Sequence, residues 1–321
     1  MLCQWKSGFR RCPLTAQNID QDTCTTMTPL MTRYPLFGLL TAIVGALILT
    51  PDTLLMRWAE MDGFQMLAWR GLLAGSVFIT LWLVTRKGQH AEDIAHLKRP
   101  FGLGLITCQF FNATLFSLGV SIAPVALVLF GVATVPIFAA IFAFIILHEP
   151  TETRTWIAIC AVIGGLSLAV FTPENGDVQI NIWSLVGALA GLGVAISLAM
   201  SFVLIRKHNT APFLLAIGIG GLLSGLFGLL MTGLAGMATG NVGYIVVTGA
   251  IILPASFFLL SFAARYTHAS NVSLALLLET VLGPVWVWLG TPERPTPMML
   301  AGGFIVVVSL AIYLVFVRRQ K

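Results

Sequence analysis

Residues 36–49, 125–147 and 304–317 each run without a single charged side chain. Such runs approach the roughly 20 residues with which a helix crosses a ~30 Å hydrocarbon core. Inside lipid, backbone donors and acceptors must be satisfied within a helix or by a closed barrel. A barrel needs segments of roughly ten residues in polar/apolar alternation, and these runs do not alternate. Composition removes the soluble reading. Hydrophobic residues make up 57% of the 321 residues and charged ones 10%, whereas a globular domain carries about 25% charge. A soluble chain of this kind could neither hide its apolar side chains nor stay dispersed. Disorder and coiled coil also need abundant charge and fall with it. The chain therefore reads as an all-α polytopic membrane protein.

Breaking the sequence at charges and Pro/Gly clusters predicts ten spans. They fall near 35–57, 63–85, 101–121, 123–147, 153–171, 182–205, 212–236, 242–264, 269–290 and 297–317. Only Ser121-Ile122-Ala123-Pro124 divides spans three and four, where the proline cannot continue a helix ladder. With the N-terminus inside, 15 of the 18 Lys and Arg fall on cytoplasmic segments. The positive-inside rule thus places both chain ends in the cytoplasm and the protein in the cytoplasmic (inner) membrane, surrounded by lipid. The net charge of +5 is a topology signal and gives a nucleic-acid partner no support.

Residues 1–33 stand apart as a cytoplasmic N-terminal tail. They lack the 7–15-residue apolar core of a signal peptide. Cys3, Cys12 and Cys24 show no metal-ligand spacing, so the reading is inert thiols and no metal. Either the tail is part of the protein or translation begins at Met27 or Met31.

The chain is weakly self-similar. Residues 34–171 hold spans one to five and residues 182–317 hold spans six to ten. Span four ends VPIFAAIFAFIILHEPT, with Pro136 thirteen residues before Glu149; span nine ends ETVLGPVWVWLGTPERPT, with Glu279 fourteen residues before Glu293. Five helices per half is an odd number, so the second copy enters the membrane upside down. Two inverted five-helix repeats form a recurrent transporter architecture in which the halves exchange shapes around a midplane site.

The Trp69-Arg70-Gly71-Leu72-Leu73 stretch, the glutamates closing the fourth span of each half and the segment SNVSLALLLETVLGPVWVWL carry a resemblance. Over residues 34–317 the chain resembles the EamA branch of the drug/metabolite transporter superfamily. The resemblance implies a ten-helix secondary carrier of a small organic metabolite: an amino acid, a nucleobase or a vitamin such as riboflavin. Two departures stand out: Thr280 follows the span-nine glutamate where many members have proline, and span seven has no counterpart of Arg70.

An ionisable side chain within a span costs at least ~2.5–3.5 kcal/mol at the helix centre and needs a partner or a purpose. Asp52 and Arg70 flank the tip of the first hairpin near Glu60–Gly63, each about 10 Å deep at ~1.5 Å per residue. Equal depth makes them a structural ion pair candidate. Pro51 also frees a carbonyl that could accept from the guanidinium. Alternatively Arg70 holds a substrate carboxylate, which suits its planar fork. Glu279 lies ten residues into span nine, with no basic residue at its depth on any predicted span. An acid buried without a cation favours its neutral form. Three roles stay open for Glu279: coupling transport to H+, binding a substrate amine or hydroxyl, or a neutral structural acid.

Asn112 is the foremost of the uncharged candidates, ahead of Gln109, Ser197, Ser201 and Ser256, all of which could instead hold helices together. Trp69 and Trp286 are candidates for stacking a planar substrate, with Phe110, Phe111 and Trp288 behind them. Trp58 and Trp183 suit an interfacial belt. Gly71xxxGly75, Gly187xxxGly191 and Gly221xxxGly225 read as close-packing seams. His148-Glu149 lacks the second histidine of HExxH, Gly102-Leu103-Gly104 does not continue as GxGxxG, and there is no P-loop. The expectation is therefore a non-enzyme without cofactor, monomeric or homodimeric, transporting a small molecule and H+. An integral membrane enzyme or a non-transporting scaffold are the competing classes.

Overall fold

The computed structural model describes residues 35–147, 182–208, 212–266 and 269–292, with 164–165 and scattered positions between 297 and 312. Described residues fold into helices without a strand. The tail 1–33, Glu149, Glu293, nearly all of span 153–171 and more than half of span 297–317 lie outside the described residues.

Span one is a broken helix, α1 (Pro35–Leu49) and α2 (Asp52–Ala59). The break falls at Thr50-Pro51, where proline lacks the N–H that would continue the ladder. Glu60 in the left-handed conformation ends α2, and the Asp62 carboxylate caps α3 (Gly63–Thr85) by accepting from Phe64 N at 3.1 Å. A short amphipathic helix that the sequence reading did not foresee, α4 (His90–Leu97), bridges to α5 (Pro100–Ile122). Extended Ala123 and Pro124 separate α5 from α6 (Val125–Val132), as the proline required. Span four is not continuous: α6 gives way to α7 (Val135–Leu147) across Ala133-Thr134, where the Thr134 hydroxyl turns back to Gly131 O at 2.7 Å. The second half supplies α8 (Ile182–Lys207) and α9 (Phe213–Gly236), followed by α10 (Val242–Val247), a π-turn over Thr248–Ile252 and α11 (Leu253–Tyr266). It ends with α12 (Ala269–Gly290), which carries Pro284 in its interior.

Seven helical stretches among the described residues are long and apolar enough to cross a membrane, with Ala275–Gly290 a shorter apolar one. Their outward residues are apolar too: Leu230, Leu234 and Leu289 are among the most exposed. The chain is a multi-pass membrane protein.

Helix pairing follows the small residues. Helix α3 packs along α9, α5 along α8, and α1 along α11; α12 leans on α1, α2, α6 and α7. In the α3–α9 contact a Cβ on Gly71 would stand 2.5 Å from Gly225 N, and one on Gly75 would stand 2.7 Å from Leu222 N. These two seams let backbones touch, which only glycine permits. Gly191 does the same against Val128 O.

Candidate functional site

The breaks and seams surround a central cavity. Helices α1, α2, α3, α5, α6, α8, α9, α11 and α12 all contribute wall residues. Along α3 the wall is Arg70, Gly71, Ala74, Gly75 and Phe78, one face at helical spacing. Along α5 it includes Gln109, Asn112, Phe116 and Ser117. Phe257 and Leu260 of α11 and Leu276 of α12 add further apolar surface. The polar groups concentrate at one level. Arg70 is the first wall residue of α3, Ser117 the last of α5 and Glu279 the last of α12. These helix directions put all three toward the end of the bundle that carries Trp58.

Asp52 starts α2 and is fully buried; Arg70 is 5% exposed. Arg70 Nη1 donates to both Asp52 oxygens, at 2.9 and 2.7 Å. The guanidinium also sits over the Phe116 ring, 5.5 Å from its centroid, so an aromatic quadrupole supports the charge. The ion pair candidate is thus formed, and it lines the cavity at the same time. The carbonyl freed by Pro51 plays no part in it: Leu47 O accepts from the Thr50 hydroxyl at 2.9 Å.

Glu279 is 3% exposed and lines the same cavity, with no hydrogen bond or ion pair among the described residues. The expectation that no basic residue shares its depth does not hold. Arg70 and Asp52 are near enough for both charges to act on it. Arg70 and Glu279 line one cavity, whose wall also takes Leu49 and Asp52 from the two sides of the broken first span. Asn112, 6% exposed, lines the cavity and has no hydrogen bond among the described residues.

The tryptophan candidates go elsewhere. Trp69 Nε1 donates to Met237 O at 3.0 Å, and Trp286 Nε1 to the Thr50 hydroxyl at 3.2 Å with 42% of the residue exposed. Neither is among the cavity residues, and the same holds for Phe110, Phe111 and Trp288. Neighbours in a helix point about 100° apart; the cavity face of α3 takes Arg70 and Gly71, and Trp69 lies beyond its edge. Ser201 and Ser256 return their hydroxyls to their own helices, at Ser197 O (2.9 Å) and Leu253 O (3.2 Å). Phe78, Phe116 and Phe257 are the aromatic wall, and the sequence reading missed them. Phe116 lies four residues after Asn112 and Phe78 eight after Arg70, so helical spacing from the polar candidates would have found both.

At the Trp58 end, loop residues from the two halves are tied together. Gln65 Nε2 donates to Thr239 O at 2.7 Å, and the Thr239 hydroxyl donates to Gln65 Oε1 at 3.1 Å. Asn241 N donates to Ala59 O at 2.8 Å, and Trp58 Nε1 to Gly290 O at 3.0 Å. At the opposite end, Arg86 grips Asp93 of α4 through Nε (3.0 Å) and Nη2 (2.8 Å), while Trp82 Nε1 donates to the same carboxylate at 2.9 Å. The Arg86 hydrogen bonds hold the Asp93 carboxyl below the usual carboxylate range.

Residues 36–171 match the EamA-like transporter family. A curated protein of Bacillus subtilis (strain 168), "Uncharacterized transporter YdfC", is 26% identical over 262 residues, spanning 78% of this chain and 82% of that protein. A solved crystal structure at 15% identity overlays with a TM-score of 0.63, covering 89% of this chain and 98% of the other. That last likeness is one of fold.

Proposed function

Since residues 36–171 form an EamA-like transporter domain in a multi-pass membrane protein, we propose that this transporter is a secondary carrier. It moves a small organic metabolite (an amino acid, a nucleobase or a vitamin such as riboflavin) across the cytoplasmic membrane by alternating access, coupled to H+ through Glu279. The observation that carries this is a nearly fully buried acid with no hydrogen bond or ion pair among the described residues, lining a cavity walled by helices of both halves.

Ten helices in two inverted repeats, with both termini in the cytoplasm, is the topology that goes with it. The packing supports that reading. Exchanging the first half for the second turns the α1–α11 pair into the α8–α5 pair and leaves the α3–α9 pair unchanged. The polar wall breaks this symmetry, because Asp52 and Arg70 belong to the first half and Glu279 to the second. Arg70 and Asp52 fix the cavity floor, Asn112 offers an amide to the solute, and Glu279 takes up and releases the coupling proton. Trp69 and Trp286 hold surrounding segments in place.

Proteoliposomes carrying the purified protein test this. Solute flux should depend on an imposed pH gradient in the wild type. Glu279→Gln should lose gradient-driven accumulation while exchange of a neutral solute persists. Unchanged gradient dependence rejects the coupling, and absence of flux for all three solute classes rejects the carrier. Thermal shifts against the same classes narrow the substrate, since stabilisation grows with [L]/Kd.

A further inference from the structure

The cavity wall is electrically balanced. Its ionisable residues, among those described, are Asp52, Arg70 and Glu279. Asp52 and Arg70 cancel one another in their ion pair, and on the carrier reading above Glu279 meets its solute with the coupling proton in place. A buried charge persists only when paired. An ionic solute would therefore bring a charge that no wall group is left to pair. What remains free are planar groups that carry a donor beside an acceptor. The Gln109 and Asn112 amides each offer N–H and C=O, and a protonated carboxyl offers O–H and C=O. All three line the cavity without a hydrogen bond among the described residues. Gln109 and Asn112 stand one turn apart on α5, a spacing that puts Cβ atoms roughly 5–6 Å from each other. A Cβ on Gly220 of α9 would stand 2.7 Å from Gln109 Cβ, so bare backbone packs on the stem of that side chain. Phe78, Phe116 and Phe257 supply an aromatic wall.

Building on that carrier reading, we infer that the cavity selects an uncharged, flat solute with a cis-amide edge, a lactam or an imide, and that Gln109 and Asn112 read this edge. A lactam presents N–H beside C=O, so it pairs with a primary amide through two hydrogen bonds at once. A ring with two such edges engages both amides, and its faces meet the aromatic wall. A hydrocarbon of the same outline leaves both amides without partners, where unmade hydrogen bonds are costly. A zwitterion is the poorer fit, because Arg70 is already matched to Asp52.

Thymine, 1,3-dimethylthymine and phenylalanine separate these cases, titrated by calorimetry into the purified full-length protein at neutral pH. Thymine is uncharged and keeps both N–H donors, its dimethyl derivative keeps the ring without them, and phenylalanine is a zwitterion. Thymine should bind at least about tenfold more tightly than either of the others. Asn112→Leu and Gln109→Leu should each shrink the thymine-to-dimethylthymine ratio by about threefold or more. That ratio is the readout, because an amide that merely holds helices together would weaken both probes alike. No binding of thymine, equal affinity for the two thymines, phenylalanine binding tightest, or a ratio that survives both substitutions each overturn the inference. The wild-type ranking decides even where a variant does not fold. Neither flux nor a gradient enters the measurement, so a failed carrier and a failed amide preference are separate results.

Discussion

The two ends of the bundle are held by different kinds of bond. At the Trp58 end, beside the bond from Arg57 to Ala123 O within the first half, a set of hydrogen bonds joins residues 168 to 232 positions apart, such as Trp69 with Met237 and Trp58 with Gly290. They tie the first half to the second. At the Arg86 end, Arg86 and Trp82 reach Asp93 only 7 and 11 positions away, within one half. A movement of the halves about the cavity must break the first set and can leave the second untouched. The structure is therefore fastened by several crossing hydrogen bonds at the end nearest its charged floor, while the Arg86 end adds to its within-half grip one exposed crossing contact, Lys207 Nζ donating to Ile146 O at 3.3 Å.

The sharpest way to break this contrast is covalent. In a chain whose five native cysteines are replaced, Gln65→Cys with Thr239→Cys, joined by a short bis-thiol reagent, should abolish flux. Arg86→Cys with Asp93→Cys, joined the same way, should retain it. Equal inhibition by both bridges would show that the ends do not differ. The next effect is thermodynamic. Asp93→Asn weakens charge-assisted hydrogen bonds on a buried side chain beside a partly exposed arginine, at a cost of about 1–2 kcal/mol after solvent screening. The unfolding midpoint should fall while flux per folded carrier stays constant. Because the folded carboxyl is held below its ordinary value, its contribution is complete above pH of about 3.9 and drains away as the medium becomes more acidic. The two proteins should therefore converge in midpoint at low pH. The smallest effect belongs to Trp69→Phe, which removes one crossing hydrogen bond worth about 1 kcal/mol. Labelling of an Ala74→Cys variant in the cavity wall should accelerate by roughly fivefold if that bond fastens the closed end, and an unchanged rate would remove Trp69 from the strap.

Hydropathy made most of the membrane helices legible, because an unbroken apolar run has one solution in lipid. Pro124 announced the split after α5, and Asp52 and Arg70 announced their pairing by equal distance from a turn. Other features resisted for identifiable reasons. The break at Ala133-Thr134 falls just before Pro136, whose missing N–H leaves Val132 O without its ladder partner, a proline that the sequence reading uses only as a mark of the repeat. Helix α4 is one short amphipathic piece whose polar residues resemble any loop. Glu279 reads as isolated because depth counted along a helix does not show which residues of other helices share its cavity wall, here Arg70 and Asp52. Depth also says nothing of azimuth, and that is why Trp69 was grouped with Arg70 although adjacent positions face different ways.

The glycine contact between α3 and α9 has a mechanical consequence. Side chains that interlock act as teeth and resist sliding, but Gly71 and Gly75 meet Gly225 and Leu222 along bare backbone. Such a contact is a bearing: two smooth rods can roll or shift slightly without unmeshing anything. Bulk added there would turn the bearing into a clutch, so these positions constrain how freely the two halves turn as well as how tightly they hold.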